Sequence, residues 1–308
     1  MVTATRNRTL GLGMVHEIGT GVPTNTAEQL LVNGDPTTDL RDLRCASAAA
    51  GAQSDTGVSI RAVSIAPVQF ASGGAAVEAI LYRCQAQGND APALVISTGA
   101  DRNIKGLEWL SLPLAQRGYM VLTQHYREGE TRFHLRDEED IQNAISYLEQ
   151  VSDVDARRVG IVGHSRGGSA VLRAAAKDAR VRSTVAMNAP TDYARWTRGI
   201  QHYAPGEYRS AITRYGATPD DDPHYYQAIS PITYAGRIKT PVLLVQGGND
   251  LRTPADHAQW MYDALVEAGN PRVRLEVLPG LGHAFEADGG YGFEKVVALV
   301  HQWFADTL

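Results

Sequence analysis

The stretch Val159-Gly160-Ile161-Val162-Gly163-His164-Ser165-Arg166-Gly167-Gly168-Ser169-Ala170 decides the reading of this chain. Val159 to Val162 is a short apolar run of the kind buried in a parallel sheet. The run breaks at Gly163, and after Gly168 a helical pattern begins. Within the break, Gly163, Ser165 and Gly167 make G-x-S-x-G in the strand-turn-helix setting that a nucleophile elbow requires. Such a turn is strained and projects the serine hydroxyl outward. Side chains two residues to either side would collide with neighbouring backbone, so only hydrogen fits there. The following helix aims its N-terminus at the reacting centre, which favours developing negative charge. A glycine-rich turn with an ordinary helix-capping serine has the same letters. Three further features in chain order favour the elbow.

Around this stretch the chain alternates short apolar strands with helical patterns. Val58 to Phe70 reads as a half-buried strand, Ser72-Gly73-Gly74 as a turn and Ala75 to Cys84 as the returning strand of an antiparallel hairpin. Ala93 to Ser97, Tyr119 to Thr123, Arg158 to Val162, Val181 to Met187, Pro241 to Gln246 and Val273 to Leu278 read as further strands. Helices are predicted over Gly106 to Arg117, Leu135 to Val151, Ser169 to Asp178, Pro254 to Ala268 and Tyr291 to Thr307. The alternation implies an α/β fold, a mostly parallel sheet with helices on both faces. It stops over about 189–240, a stretch rich in Tyr, Trp, Arg and Pro. We expect there a small cap inserted at the carboxyl end of the sheet. Its aromatics either shape a substrate pocket or pack inward on themselves. Residues 1–57 read as an irregular arm and linker, and 58–308 as one domain.

Composition narrows the partners. The 308 residues are 44% hydrophobic and 20% charged, enough for one sizeable core. A net charge of −5 leaves no basic footprint for nucleic acid. No apolar run is long enough for a bilayer span, so no membrane association is expected. Met1 to Gly21 has arginines but no apolar core of a secretory signal. Cys45 and Cys84 fit a reducing compartment, and neither has metal-ligand spacing. The expectation is a cytoplasmic protein with a small-molecule substrate and neither metal nor cofactor.

A serine hydroxyl needs a base within hydrogen-bond reach, and the base needs a partner that fixes its tautomer. Among nine histidines, His283 stands in a glycine-flanked loop between the last strand and the terminal helix. Asp250 follows the strand Val242-Leu243-Leu244-Val245-Gln246, at the edge where catalytic groups collect. It could equally cap the next helix. Asp192 is the competing acid. The order Ser165, Asp250, His283 is nucleophile, acid, base. The oxyanion would lie against the backbone N–H of Arg166 and that of Ala100, with Gly99 as the near alternative. The Arg166 side chain is either a buried ion-pair partner or a ligand for a substrate anion. His164 is expected to pack behind the nucleophile.

The residues from Val58 onward resemble the α/β-hydrolase superfamily, and within it the catalytic domain of the prolyl oligopeptidase family and the related dienelactone-hydrolase-like esterases. The resemblance is carried by Gly118 to Leu122, Asp155 to Gly168, Ser230-Pro231-Ile232, Thr240 to Asp250 and Gly282-His283. It implies serine-hydrolase chemistry at Ser165, Asp250 and His283. Two departures matter. The peptidases usually carry a β-propeller ahead of this domain, and residues 1–57 are too few to build one. Many relatives have His-Gly in the oxyanion loop, where this chain has Thr98-Gly99. The expectation is cleavage of carboxylic esters through an acyl-enzyme. Amide or peptide cleavage, and acyl transfer or cyclisation, are the alternatives on the same residues. A non-catalytic binding protein is disfavoured, because a binder needs no such trio.

Overall fold

The computed structural model describes residues 62–84, 90–127 and 132–308. The expected arm, residues 1–57, lies outside them, as does Cys45. Two long strands come first, β1 (Val63–Ser72) and β2 (Ala75–Cys84), joined by Gly73-Gly74. Both glycines have positive φ, 56° and 85°, as a two-residue hairpin turn demands. There follow β3 (Ala91–Ser97), α1 (Glu108–Gln116), β4 (Met120–Gln124), α2 (Asp137–Leu148), β5 (Val154–His164), α3 (Arg166–Ala175) and β6 (Val181–Met187). The insertion supplies α4 (Tyr193–Tyr203), α5 (Pro205–Tyr215) and α6 (Pro223–Ile229). The chain closes with β7 (Val242–Gly247), α7 (Asp256–Glu267), β8 (Val273–Leu278), a two-residue ribbon β9 (Glu286–Ala287) with β10 (Gly290–Tyr291), and α8 (Phe293–Thr307).

The eight-stranded sheet has the order β1-β2-β4-β3-β5-β6-β7-β8. From β4 to β8 every pairing is parallel; β2 is antiparallel to both β1 and β4. Alternation along the strands builds two cores. Ala93, Val95, Ile161, Val242 and Leu244 join the cluster containing residues of α2, α3 and α7. Leu94, Ile96, Val162, Leu243 and Val245 join the cluster containing those of α1 and α8. Strands buried on both faces read as continuous apolar runs, which is why they were legible without a period-2 signal.

The strand order reverses between β3 and β5. At such a switch point the loops leaving the carboxyl ends diverge and open a crevice. Ser165 follows β5 and Thr98 follows β3, so the fold puts the elbow and the expected oxyanion loop on the two lips. Two elements differ from the sequence reading. α3 begins at Arg166 rather than Ser169, because Gly167 and Gly168 belong to its first turn. The ribbon of β9 and β10 falls where loop and helix start were expected.

Candidate active site

The elbow carries measurable strain. Ser165 has φ 55° and ψ −117°, outside the regions open to most side chains. The neighbouring glycines show why. A Cβ on Gly163 would stand 2.2 Å from the Gly167 backbone, one on Gly167 2.2 Å from Ser97 O, and one on Gly168 2.7 Å from Ala189 Cβ. Crossing backbone fills the space at Gly163 and Gly167, and the Ala189 methyl fills it at Gly168.

The three expected side chains meet. His283 Nε2 lies 3.0 Å from Ser165 Oγ, and His283 Nδ1 lies 2.7 Å from Asp250 Oδ2. These contacts join positions more than thirty and more than a hundred residues apart along the chain. Asp250 also behaves as a turn residue. Its Oδ1 accepts from the N–H of Arg252 and of Thr253, both at 2.8 Å, ahead of α7. The two readings of Asp250 are therefore one arrangement: Oδ1 fixes the loop, and Oδ2 faces the imidazole. Asp192 stands elsewhere, capping α4 through Arg195 N.

The loop carrying His283 is held by His164 and by Asn188, which the sequence did not single out. The His283 carbonyl accepts from Asn188 Nδ2 and from His164 Nε2, each at 2.6 Å. Asn188 in turn accepts from Gly247 N at 2.7 Å, tying the ends of β6 and β7 to the histidine loop. Only its place directly after a strand end could have flagged Asn188. His164 is half-buried, and loss of solvent around its ring, with His283 beside it, pushes its imidazole down to about 4. It is neutral at pH 7, with Nε2–H as donor and Nδ1 as acceptor.

Helix α3 starts at Arg166, so its first N–H groups have no partner within the helix and point at the crevice. Facing them, a Cβ on Gly99 would lie 3.7 Å from Ser165 Cβ, which places the Thr98-Gly99-Ala100 loop against the nucleophile. The main chain of this loop is held from the side by a tyrosine. Tyr126 donates its hydroxyl to Thr98 O at 2.8 Å.

The Arg166 side chain turns away into the interior. It forms a bidentate pair with Asp137, at 2.8 and 2.6 Å, and lies between the rings of Tyr126 and Phe133. Burial alone would raise the Asp137 carboxyl; the Arg166 guanidinium overrides it and holds the group well below the usual carboxylate range. His134 also bonds Asp137, at 2.9 Å, and burial pushes its imidazole down to about 3. The ion-pair reading of Arg166 is the one the structure bears out.

Of the two readings of the aromatics over 189–240, inward packing holds for five of them. Tyr193, Trp196, Tyr215, Tyr225 and Tyr226 are buried in a cluster of their own with Ile200 and Ile229. They pack inward against one another. A cavity of about 350 Å³ is bounded by the loop after β3, α1, the loop that follows His283 and the start of α8. Among the described residues, no group of three or more His, Cys, Asp or Glu could hold a metal ion, and no helix is long and apolar enough to cross a membrane.

With this geometry in view, the family can be stated. Residues 107–308 match the model of the prolyl oligopeptidase family. The chain belongs to that family. It is similar to the uncharacterized peptidase YtmA of Bacillus subtilis, 28% identical over 167 residues, 52% of this chain and 63% of that protein. It is also similar to acylamino-acid-releasing enzyme 2 of rice (Oryza sativa subsp. japonica), 27% identical over 66% of this chain and 28% of that enzyme. The chain thus spans less than two thirds of these relatives. A puromycin-hydrolyzing peptidase from Mycobacterium tuberculosis superposes with a TM-score of 0.69 over 79% of this chain and 39% of its own, at 21% identity, which shows the shared fold.

Proposed function

We propose that this chain is a serine hydrolase that cleaves small amides or peptides through an acyl-enzyme. The observation that carries the reading is the relay of Ser165, His283 and Asp250, joined by hydrogen bonds of 3.0 and 2.7 Å. Ser165 Oγ attacks the carbonyl carbon while His283 Nε2 takes its proton. Asp250 holds the Nδ1–H tautomer and stabilises the imidazolium. The carbonyl oxygen becomes an anion against the N–H groups of Arg166 and Ala100. Collapse breaks the C–N bond, and His283 returns the proton to the departing nitrogen. Water, activated by the same base, then releases the acid and frees Ser165.

Two relatives reported above move the weight from esters to amides, since one is called a peptidase and the other an acylamino-acid-releasing enzyme. The test is labelling of the full chain with a fluorophosphonate, with the adduct mapped by mass spectrometry. Modification at Ser165 is expected. Ser165→Ala should lower kcat by a factor on the order of 10⁴ to 10⁶ with the fold unchanged. A modified site other than Ser165 would reject the assignment. An N-acylated amino-acid anilide compared with the p-nitrophenyl ester of the same acyl group separates the two bond types. Turnover of the ester alone would return the reading to an esterase.

A further inference from the structure

Strand β7 opens as an apolar run, Val242-Leu243-Leu244-Val245, and then places one amide, Gln246, before its terminal glycine. Gln246 is fully buried. An apolar side chain of the same length would fill that space, and a buried amide costs free energy wherever it is not hydrogen-bonded. This amide is half satisfied. Its Nε2 lies 3.0 Å from Thr253 O, 3.1 Å from Gly247 O and 3.3 Å from Asp250 Oδ2, while its Oε1 has no hydrogen-bond partner among the described residues. All three surrounding atoms are acceptors, so the nitrogen is the end that must face them.

Two hydrogens are shared among three acceptors, and the competition is unequal. Gly247 O already accepts from Asp250 N at 3.2 Å. Asp250 Oδ2 belongs to a carboxylate, which draws a donor more strongly than a neutral carbonyl does. The same oxygen faces His283 Nδ1 at 2.7 Å, and the N–H groups of Arg252 and Thr253 occupy Oδ1. Gln246 is thus the second donor on the oxygen that orients the base.

We propose that Gln246 is a positioning residue of the relay: by donating to Asp250 Oδ2 it fixes the carboxylate against His283 and limits how strongly that carboxylate holds the protonated imidazole. The inference rests on Ser165, His283 and Asp250 acting as the relay. Its second half follows from elementary electrostatics. A hydrogen bond to a carboxylate spends part of the charge that a neighbouring cation would otherwise feel. With the amide in place, the imidazole gives up its proton more readily and remains a free base to lower pH.

Other titratable and charged groups face the pair from several elements. The ring of His164, at the end of β5, is centred 5.0 Å from that of His283 and is neutral. Glu286 of β9 accepts from Ala284 N at 2.6 Å. Arg252, on the acid loop, stands 3.7 Å from Glu207 of α5. Tyr203, at the end of α4, and His257 of α7 lie within electrostatic reach of Asp250. All of these are common to the unaltered chain and to a variant at position 246, so a difference between the two belongs to the amide.

The test is the rate at which a fluorophosphonate labels Ser165 in the full chain, followed between about pH 5 and pH 9. It reads the base directly and needs no assigned substrate. The acid limb of that profile marks loss of the free imidazole. In Gln246→Met, close in size and without donors, the limb should move to higher pH by about half a unit or more. Gln246→Asn, whose amide stops one methylene short of Asp250, should move it in the same direction and serves where the Met variant fails to fold. Circular dichroism establishes folding. The sign is the decisive part. Were Gln246 merely a prop for the acid loop, its loss would loosen Asp250 from His283, and the limb would fall or stay. A limb that is unmoved, or moves to lower pH, in a folded variant overturns the inference. Labelling of the unaltered chain at Ser165 beside that result leaves the hydrolase reading standing; an unaltered chain not labelled there removes both.

Discussion

In the cap, five aromatic side chains from α4, α5 and α6 pack at steep angles, with Tyr215 at the centre, edge to face with Tyr193 and Tyr226 and tilted against Tyr225. Across the site, Trp109, Phe293 and Tyr291 lie face to face and line open space. The cap rings come from one stretch dense in aromatics. Of the cavity rings, Tyr291 and Phe293 are near neighbours in sequence and Trp109 comes from α1, far earlier in the chain. Aromatic density along the chain thus marks a small core that lets the insertion hold its own shape. The wall of an open cavity arises where rings from separate stretches converge.

Both clusters flank one relay, and the largest effect is expected there. Asp250→Asn should lower kcat by about 10⁴, as loss of the orienting carboxylate does elsewhere. Asn can keep its Oδ1 on Arg252 N and Thr253 N, so the urea midpoint should stay put. A parallel fall in stability would mean that Asp250 serves the turn more than the imidazole.

The comparison of the clusters is sharpened by a matched pair. Tyr215 is 2% exposed at the cap's centre, and Tyr215→Ala should cost ~3–5 kcal/mol of stability, read by urea denaturation. Tyr291→Ser, at the rim, should cost less than about 0.5 kcal/mol. If Tyr291→Ser destabilised as much as Tyr215→Ala, the ladder would be core as well, and the contrast would fail.

Acid loads both sides. His134 packs against the cap ring of Tyr193, and His164 lies in the cavity wall. Burial holds both imidazoles neutral, at about 3 and about 4 against an ordinary 6.5. The unfolded chain binds these protons first. Their contribution is intact above pH 6.5 and is lost as pH falls toward those folded values. Each should remove ~1.4 kcal/mol per pH unit inside its window. Urea midpoints at pH 7 and pH 5 read this slope, and His134→Asn and His164→Asn should each flatten it. A slope unchanged in both variants would place the acid sensitivity elsewhere.

The trio was legible because each member sits where a strand ends and a glycine-marked turn begins, at Gly163, Gly247-Gly248 and Gly282. The doubly buried strands were legible as apolar runs. Asn188 was not, since one asparagine after a strand carries no local pattern and its work lies in contacts to β7 and the histidine loop. Nor was the fate of the Arg166 side chain, because it depends on Asp137 and two rings from other segments. The cavity was invisible for the same reason. It is a property of convergence, and no window of sequence contains it.

The carbonyl of His283 is pinned twice, by an amide and by an imidazole. A base anchored so firmly by its own main chain has little room to swing. The machinery of proton transfer stands assembled before anything arrives.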